Sequence, residues 1–413
     1  MIKIQINDKE QLKLDYLDKI SPELIEALKK MDLSLAHLLE PSKINDTDIS
    51  KAKHLTIAIV NILRTPAKPA SYFKKSVYRN GVKNYAKKAK KLMIVNLSGL
   101  SGLIKELLDL TSGSLDSLLV GDAESIKRTN DELLNKHLLG TPSEIDILKL
   151  AFKYKESKLG GIVREFFYDA KLTVYCPYCN QNLAIRNSNK ATGVTGDSFQ
   201  LDHFFDQDNY PLLALSLFNL VPSDSNCNTV NKKTKRFSDE LHLNPYISGF
   251  GRDMVFRNIY DPLTLEIFSI SLDITVPRNS PRHLQLIGDF DKPNESLGHG
   301  NINVFQLETR YNRADVLKKA AILFQDLKND AVNKSSLDSI LAGTGLANSY
   351  SNFVSYYERK VRAEFHEKDF GKEGYSKLYR DILDQVYGLY PTTFNKEVRE
   401  IIEKSYDKTV RGE

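Results

Sequence analysis

Residues 176–233 read CPYCNQNLAIRNSNKATGVTGDSFQLDHFFDQDNYPLLALSLFNLVPSDSNCNTVNKK, and this stretch decides the fold. Cys176 and Cys179 form a pair around Pro177-Tyr178. Phe199 to Phe204 (FQLDHF) mixes apolar and polar residues as a short strand does. Asp202 and His203 are adjacent at the end of that strand. Asn219 follows sixteen residues later in Phe218-Asn219-Leu220, and Asn228 nine residues beyond that, directly after Cys227. Asn226 to Phe237 (NCNTVNKKTKRF) follows Pro222-Ser223 and reads as a basic helix carrying Lys232, Lys233, Lys235 and Arg236.

These residue types suit phosphodiester chemistry. Hydrolysis needs a nucleophilic water and relief of charge on the leaving oxygen. A histidine with a near-neutral pKa can take the proton from water, and His203 is the candidate base. A hard divalent cation, Mg2+ or Mn2+, prefers oxygen ligands, and Asp202 and Asn228 supply a carboxylate and an amide oxygen. Neighbouring strand residues point to opposite faces, so a twist or bulge is expected where Asp202 and His203 serve one phosphate.

In order and spacing, His203, Asn219 and Asn228 resemble the HNH, or ββα-metal, endonucleases. There a strand ends in Asp-His or His-His, an Asn-Leu leads into a second strand, and a helix begins at Cys-Asn or Cys-His. The resemblance covers about a sixth of the chain. It implies a ββα core, His203 as general base, Asn219 steadying the loop that holds the base, and a catalytic cation on Asp202 and Asn228. It also implies 5′-phosphate and 3′-hydroxyl products. Many members carry two Cys-x-x-Cys pairs around a structural Zn2+. Here Asp224-Ser225-Asn226-Cys227 takes the place of the second pair, so the expected zinc set is Cys176, Cys179, Asp224 and Cys227. A carboxylate can complete such a tetrahedron. His242 in HLNPY (242–246) is a rival fourth ligand. In the same family the basic helix lies along the DNA, which implies phosphate contacts by Lys232, Lys233, Lys235 and Arg236. The Leu-x-x-Arg-Tyr stretch within Asn303 to Tyr311, with HLNPY, is similar to HNH proteins of bacterial antiphage defence loci. That similarity implies a DNA-cutting effector with an ATPase or another sensor protein as partner. The alternatives are a catalytically silent, zinc-stapled nucleic-acid-binding scaffold and an RNA-cutting, toxin-like effector.

Working outward, residues 10–170 read as mostly helical. LDYLDKISPELIEALKKM repeats apolar residues every three or four positions, with Ser21-Pro22 as a helix start. SEIDILKLAF (143–152) reads as a second helix, with Ser143 as its cap. Gly and Ser around 98–102 and 112–114 read as turns. MVFRNIYDPLTLEIFSI from 254 gives two strands around Asp261-Pro262, and RHLQLIGDF a third candidate. ADVLKKAAILFQDLKND, SNFVSYYERKVRAEF and SKLYRDILDQVYGLY return to helix. The expected organisation is α+β. A helical domain at 1–170 binds DNA or a partner, a nuclease core spans 171–245, and a hairpin with helices fills 246–413.

Composition narrows the function classes. The chain has 413 residues, 41% hydrophobic and 27% charged, which excludes wholesale disorder. Three cysteines are an odd number, against a secreted disulfide framework and for a reducing cytoplasm. The βαβ context of a thioredoxin-like Cys-x-x-Cys is missing. The most apolar run, Leu55 to Leu63, is half the roughly twenty residues a bilayer span needs, and no signal-peptide pattern opens the chain. No Gly-rich Lys-Ser/Thr loop is present, so ATP hydrolysis would fall to a partner. The net charge of +5 suits a nucleic-acid partner. A second basic block, 73–91, interleaves lysines with Tyr78 and Tyr85 and is a further candidate surface for DNA.

Overall fold

A computed structural model of the chain describes residues 1–63, 78, 82, 95–154, 157–188, 195–278, 280–289, 299–329 and 367–386. It is α+β and packs as two units. The helical unit comprises Asn7–Ala170 and Asp202–Val221; the mixed unit comprises Met1–Ile6, Lys171–Leu201 and Pro222–Glu413.

In the helical unit, α1 spans Lys9–Leu39, capped by the Asp8 side chain, which accepts from the Gln11 N–H. Tyr16, Ile20, Leu24, Leu28, Met31, Leu35 and Leu38 recur every three or four residues and are all buried, a single apolar stripe. The expected start at Ser21-Pro22 is therefore wrong, for Pro22 lies inside the helix. An internal proline costs about 3 kcal/mol. Each large side chain buried along the stripe returns about 1.5–3 kcal/mol, so the stripe wins.

Next come α2 (Asp46–Ile62), α3 (Leu97–Leu108), α4 (Ser114–Val120), α5 (Ile126–Lys136), α6 (Pro142–Ala151) and α7 (Lys158–Ala170). Helix α1 packs against α2, α3, α6 and α7. Gly99 and Gly102, expected in a turn, are inside α3. A Cβ on Gly99 would lie 2.2 Å from the His137 carbonyl oxygen, and one on Gly102 2.9 Å from the His137 ring. These glycines permit close packing instead of a turn. Gly113, with φ +67°, does make the expected turn. The cap of α6 is Thr141, not Ser143. Its side chain accepts from the Glu144 N–H while Glu144 reaches back to the Thr141 N–H, a capping box.

The mixed unit begins with Met1–Ile6, whose Ile2 N–H donates to the Pro177 carbonyl at 2.7 Å and Ile4 N–H to that of Pro245 at 2.8 Å. Strands β1 (Arg186–Ser188) and β2 (Thr195–Asp197) pair antiparallel. Strand β3 (Phe199–His203) pairs with β4 (Leu220–Asp224), and the chain crosses from one unit to the other within both. Strands β5 (Met254–Tyr260) and β6 (Ile267–Ile274) form the expected antiparallel hairpin. The expected third strand is instead helix α8 (Pro281–Ile287). The Ser280 side chain accepts from the His283 N–H, and Pro281 opens the helix, a strong start signal. Then follow α9 (Asn301–Val304), α10 (Leu307–Tyr311), α11 (Ala314–Asn329) and α12 (Ser376–Val386). Helix α12 packs on β5, where buried Asp381 accepts from the Phe256 N–H and from Lys377.

Residues 202–221, expected within the central domain, pack with the helices, while 246–329 and 367–386 pack in the same unit as 171–201. The candidate helix at 351–365 lies outside the described residues, as does the basic block 73–91 apart from Tyr78 and Val82. Among the described residues no helix is long and apolar enough to cross a membrane.

The glycine geometry gives a paired prediction. Gly99→Ala forces a methyl against the His137 carbonyl and should cost about 1–3 kcal/mol. Gly161→Ala, inside α7 with nothing within 4 Å of the added Cβ, should stabilise by about 0.5–1 kcal/mol. Thermal denaturation of the two variants should move in opposite directions.

Candidate functional site

The side chains of Cys176, Cys179, Asp224 and Cys227 are buried, and their ligand atoms all lie within 4.8 Å of one another. Among the described residues this is the one cluster of its kind. Local structure explains each position. The Cys176 N–H donates to the Asn182 carbonyl, and the Asn180 N–H to the Cys176 carbonyl. Asn180 takes φ +53°, a left-handed turn that asparagine tolerates. The turn folds Cys179 back beside Cys176. Strand β4, buried along its length, ends at Asp224. A π-helical segment, Asn226–Lys232, then places Cys227 in its first turn.

Asp224 uses its two oxygens differently. Oδ1 accepts from Asn182 Nδ2 at 3.0 Å, the Asn226 N–H at 2.9 Å and the Cys227 N–H at 3.3 Å. Oδ2 lies 3.6 Å from the Cys179 sulfur. One oxygen fixes the turn, and the other faces the thiols. Three sulfurs and a carboxylate oxygen form a donor set that suits a tetrahedral, borderline-soft ion such as zinc. It does not suit Mg2+, which prefers oxygen ligands and keeps several waters.

Two residues of α10 close the cluster. Arg310 Nη1 donates to the Cys227 sulfur at 3.1 Å and its Nε to Gln181 Oε1 at 3.3 Å. The Tyr311 hydroxyl donates to the Cys179 carbonyl at 2.7 Å. A guanidinium offsets the negative charge that metal-bound thiolates and a carboxylate would concentrate there. Burial pushes the Cys176 and Cys227 thiols well up. At Cys179 burial works the same way, but hydrogen bonds from the other two thiols, the Arg310 charge and the Asn182 N–H outweigh it and hold the thiol well down. Arg310 and Tyr311 stand in the Leu-x-x-Arg-Tyr stretch. The sequence flags that stretch without saying what it touches.

His242 is not in the cluster. Its Nδ1 accepts from the Ser238 N–H at 3.1 Å, its Nε2 donates to the His299 carbonyl at 2.9 Å, and its ring stacks on Phe237 at 4.0 Å. With both nitrogens engaged it is a structural, neutral histidine.

In the helical unit, His203 is half-buried and Asp202 buried. His203 Nε2 lies 2.9 Å from the Ala214 carbonyl oxygen. A carbonyl only accepts, so Nε2 carries the proton and the lone pair of the neutral ring is on Nδ1. The ring packs edge-on against Tyr154 at 5.0 Å. Burial pushes the Tyr154 hydroxyl up to about 12, against the nearby Arg164. Asn219 is fully buried. Its Oδ1 accepts from the Phe205 N–H, and its Nδ2 donates to the Phe205 and Leu213 carbonyls. Asn219 therefore ties together both ends of the loop that follows His203. The segment is anchored from outside as well. The Tyr16 hydroxyl of α1 donates to the Leu215 carbonyl at 2.6 Å, and the Ser216 hydroxyl to the Leu118 carbonyl of α4. Neither anchor carries a motif, so sequence reasoning missed both.

Asn228, in the mixed unit, donates through Nδ2 to Gln200 Oε1 at 3.0 Å, which aims its amide. The basic residues differ from a uniform solvated helix face. The helical segment ends at Lys232, and Lys233 takes φ +52°. Lys232 is 2% exposed with its ammonium 4.4 Å over the Phe237 ring. Lys235 is half-buried and donates to the Asn231 carbonyl, and burial, then the Lys233 charge, lowers its pKa. Lys233 and Arg236 are exposed.

No protein-family model, no curated protein and no solved structure matches this chain.

Cobalt(II) titration, read by thiolate charge-transfer absorption, should saturate at one ion per chain. Cys227→Ser should abolish that signal and His242→Ala should leave it. Asn182→Ala, which removes the donor that orients Asp224, should weaken binding about 10–100-fold. Burial, then the Lys232 charge, lowers His242 from 6.5 to about 3 in the fold. The unfolded chain therefore binds a proton below pH 6.5 that the folded chain refuses, so stability is full above 6.5 and lost as pH falls. Between pH 6.5 and 5 the loss should approach about 1.4 kcal/mol per pH unit. Denaturant titrations of His242→Gln should show a flatter slope in that window.

Proposed function

We propose that the chain is a metal-dependent endonuclease of the HNH type that hydrolyses phosphodiester bonds in DNA, as the nuclease effector of a bacterial antiphage defence or restriction system. The observation that carries the reading is the state of His203. Its Nε2 proton is committed to the Ala214 carbonyl, and Asn219 pins the loop behind it. An imidazole whose Nε2 proton goes to a carbonyl carries its basic lone pair on Nδ1, the atom this reading uses as the base.

In this reading His203 Nδ1 takes a proton from water. The water oxygen bonds to phosphorus as the bond to the 3′-oxygen breaks, and that oxygen takes a proton from solvent, leaving 5′-phosphate and 3′-hydroxyl ends. Asn219 positions the base and touches no substrate. A divalent cation such as Mg2+ or Mn2+, for which the sequence offers Asp202 and Asn228 as oxygen ligands, would supply charge relief at the leaving oxygen. Exposed Lys233 and Arg236 suit phosphate contact, whereas Lys232 has its ammonium on Phe237. Zn2+ on Cys176, Cys179, Asp224 and Cys227 would be structural, because protein donors fill all four positions of its tetrahedron.

The test is nicking of supercoiled plasmid with Mg2+ or Mn2+ by the wild-type chain and by His203→Ala. Loss of the base should slow cutting at least about 100-fold. Equal cutting by both would remove His203 from the mechanism. Faster cleavage of RNA, without any metal, would move the activity to a different chemistry.

A further inference from the structure

A cavity of about 890 Å3 opens in the mixed unit, with Asp224 in its wall and none of the three cysteines lining it. Its size falls in the range of small-molecule sites. Tyr175, Tyr375 and Tyr379 line it. The rings of Tyr375 and Tyr379 stand 5.9 Å apart and within 27° of parallel. Lys319, an exposed cation of α11, also lines the cavity, with its ammonium 5.0 Å over the Tyr375 ring.

The wall is built firmly. Tyr375 is held at φ +63°, its N–H donating to the Asn180 carbonyl at 2.6 Å. A non-glycine residue keeps that conformation only where its surroundings impose it. A Cβ on Gly374 would lie 2.6 Å from the Tyr175 ring, so the chain runs flat against that aromatic face. Asn180 is also the turn residue of the cysteine pair, and its Oδ1 accepts from the Lys377 N–H of α12.

Gln181 adds an independent sign. It lines the cavity and is 93% buried, being 7% exposed. Its Oε1 accepts from Arg310, but its Nε2 is buried with no partner. An orphaned buried donor is costly, and native structures keep few of them.

We propose that this cavity binds a nucleotide, either free or as one unit of a single strand. Aromatic faces stack on a planar heterocycle whatever its sequence. Uncharged amides and hydroxyls such as Gln181, Asn226 and Ser225 read the edge of a base. One lysine matches one phosphate, and the carboxylates of Asp224 and Glu373 in the same wall disfavour a di- or triphosphate. The site is distinct from His203 and does not depend on the nuclease reading.

The experiment is isothermal titration calorimetry on the full zinc-loaded chain. The probes are AMP, GMP, CMP and UMP, their parent nucleosides, and a short oligothymidylate. Saturable binding of a monophosphate assigns a free nucleotide; binding of the oligonucleotide alone assigns a single strand. In either case Tyr379→Ala should weaken binding about tenfold or more. Lys319→Ala, at an exposed position that leaves the fold intact, should weaken the phosphorylated probe and leave its nucleoside unchanged. Gln181→Glu keeps the acceptor for Arg310, replaces the orphaned donor with a carboxylate and should also weaken binding. No saturable binding of any probe at millimolar concentration would overturn the proposal, as would binding that neither Lys319→Ala nor Tyr379→Ala weakens. Because the readout is binding and not cleavage, its failure leaves the nuclease reading standing, and the reverse holds too.

Discussion

The Asp224 carboxylate is the group on which the mixed unit turns. Its Oδ1 gathers three N–H donors, one from the cysteine turn and two from the start of the π-helical segment. Its Oδ2 faces the Cys179 sulfur. Without that carboxylate, the stretch around Cys176–Asn182 and the stretch around Cys227 would lose their common acceptor. Stretches far apart in sequence reach the same point. Arg310 bonds the Cys227 sulfur, Tyr311 bonds the Cys179 carbonyl, and the Ile2 N–H bonds the Pro177 carbonyl inside the pair. Buried charge of this density is tolerable only with compensation. The Arg310 guanidinium beside the Cys227 sulfur supplies part of it, and a cation held by the four side chains would supply the rest.

A different logic governs the helical unit. Its long first helix is specified by one apolar stripe, and a single hydroxyl on that stripe reaches the segment that follows His203. Tyr16 is fully buried between Phe166 and Phe167 and donates to the Leu215 carbonyl. Ser216 is tied in turn to Leu118. These bonds fix the backbone immediately after Ala214, whose carbonyl accepts from His203. The helices that carry no readable motif therefore have a definite task. They hold the segment that sets the histidine tautomer.

The Cys3Asp cluster is legible in the sequence because its signal is chemical. Few residue types bind a soft ion, and the spacing of Cys176, Cys179 and Cys227 limits the fourth ligand to a few positions. Asp224 against His242 was a real choice on sequence, settled by hydrogen bonds that sequence does not display. The hairpin around Asp261-Pro262 was legible for a similar reason, since alternating strands flank a strong turn. Failures came where a local signal met a tertiary contact. Ser21-Pro22 has the chemistry of a helix start, but the apolar stripe runs through it. Gly99 and Gly102 have the chemistry of a turn, but the space they leave is filled by His137. Ser280-Pro281 has the chemistry of a helix start, and there apolar alternation in HLQLI concealed it. The basic run after Cys227 read as one face because charge has no period. Its helix stops at Lys232, whose stem and ammonium are drawn in by Phe237.

An aspartate at 224 does what a cysteine there could not. A cysteine at 224 would match its charge when bound to a metal, yet it has one ligand atom and is a weak acceptor. It could not hold the ion and receive three N–H donors at once. The carboxylate divides those duties between two oxygens, so the residue that completes the cluster also sets the first turn of the segment carrying Asn228. Asp224 further lines the cavity bounded by Tyr175 and Tyr375. With aspartate, the polar face of the cluster forms part of the cavity wall, and Asn182, which orients the carboxylate, lies in the same wall. The Asp224 side chain therefore belongs both to the cluster and to the cavity wall.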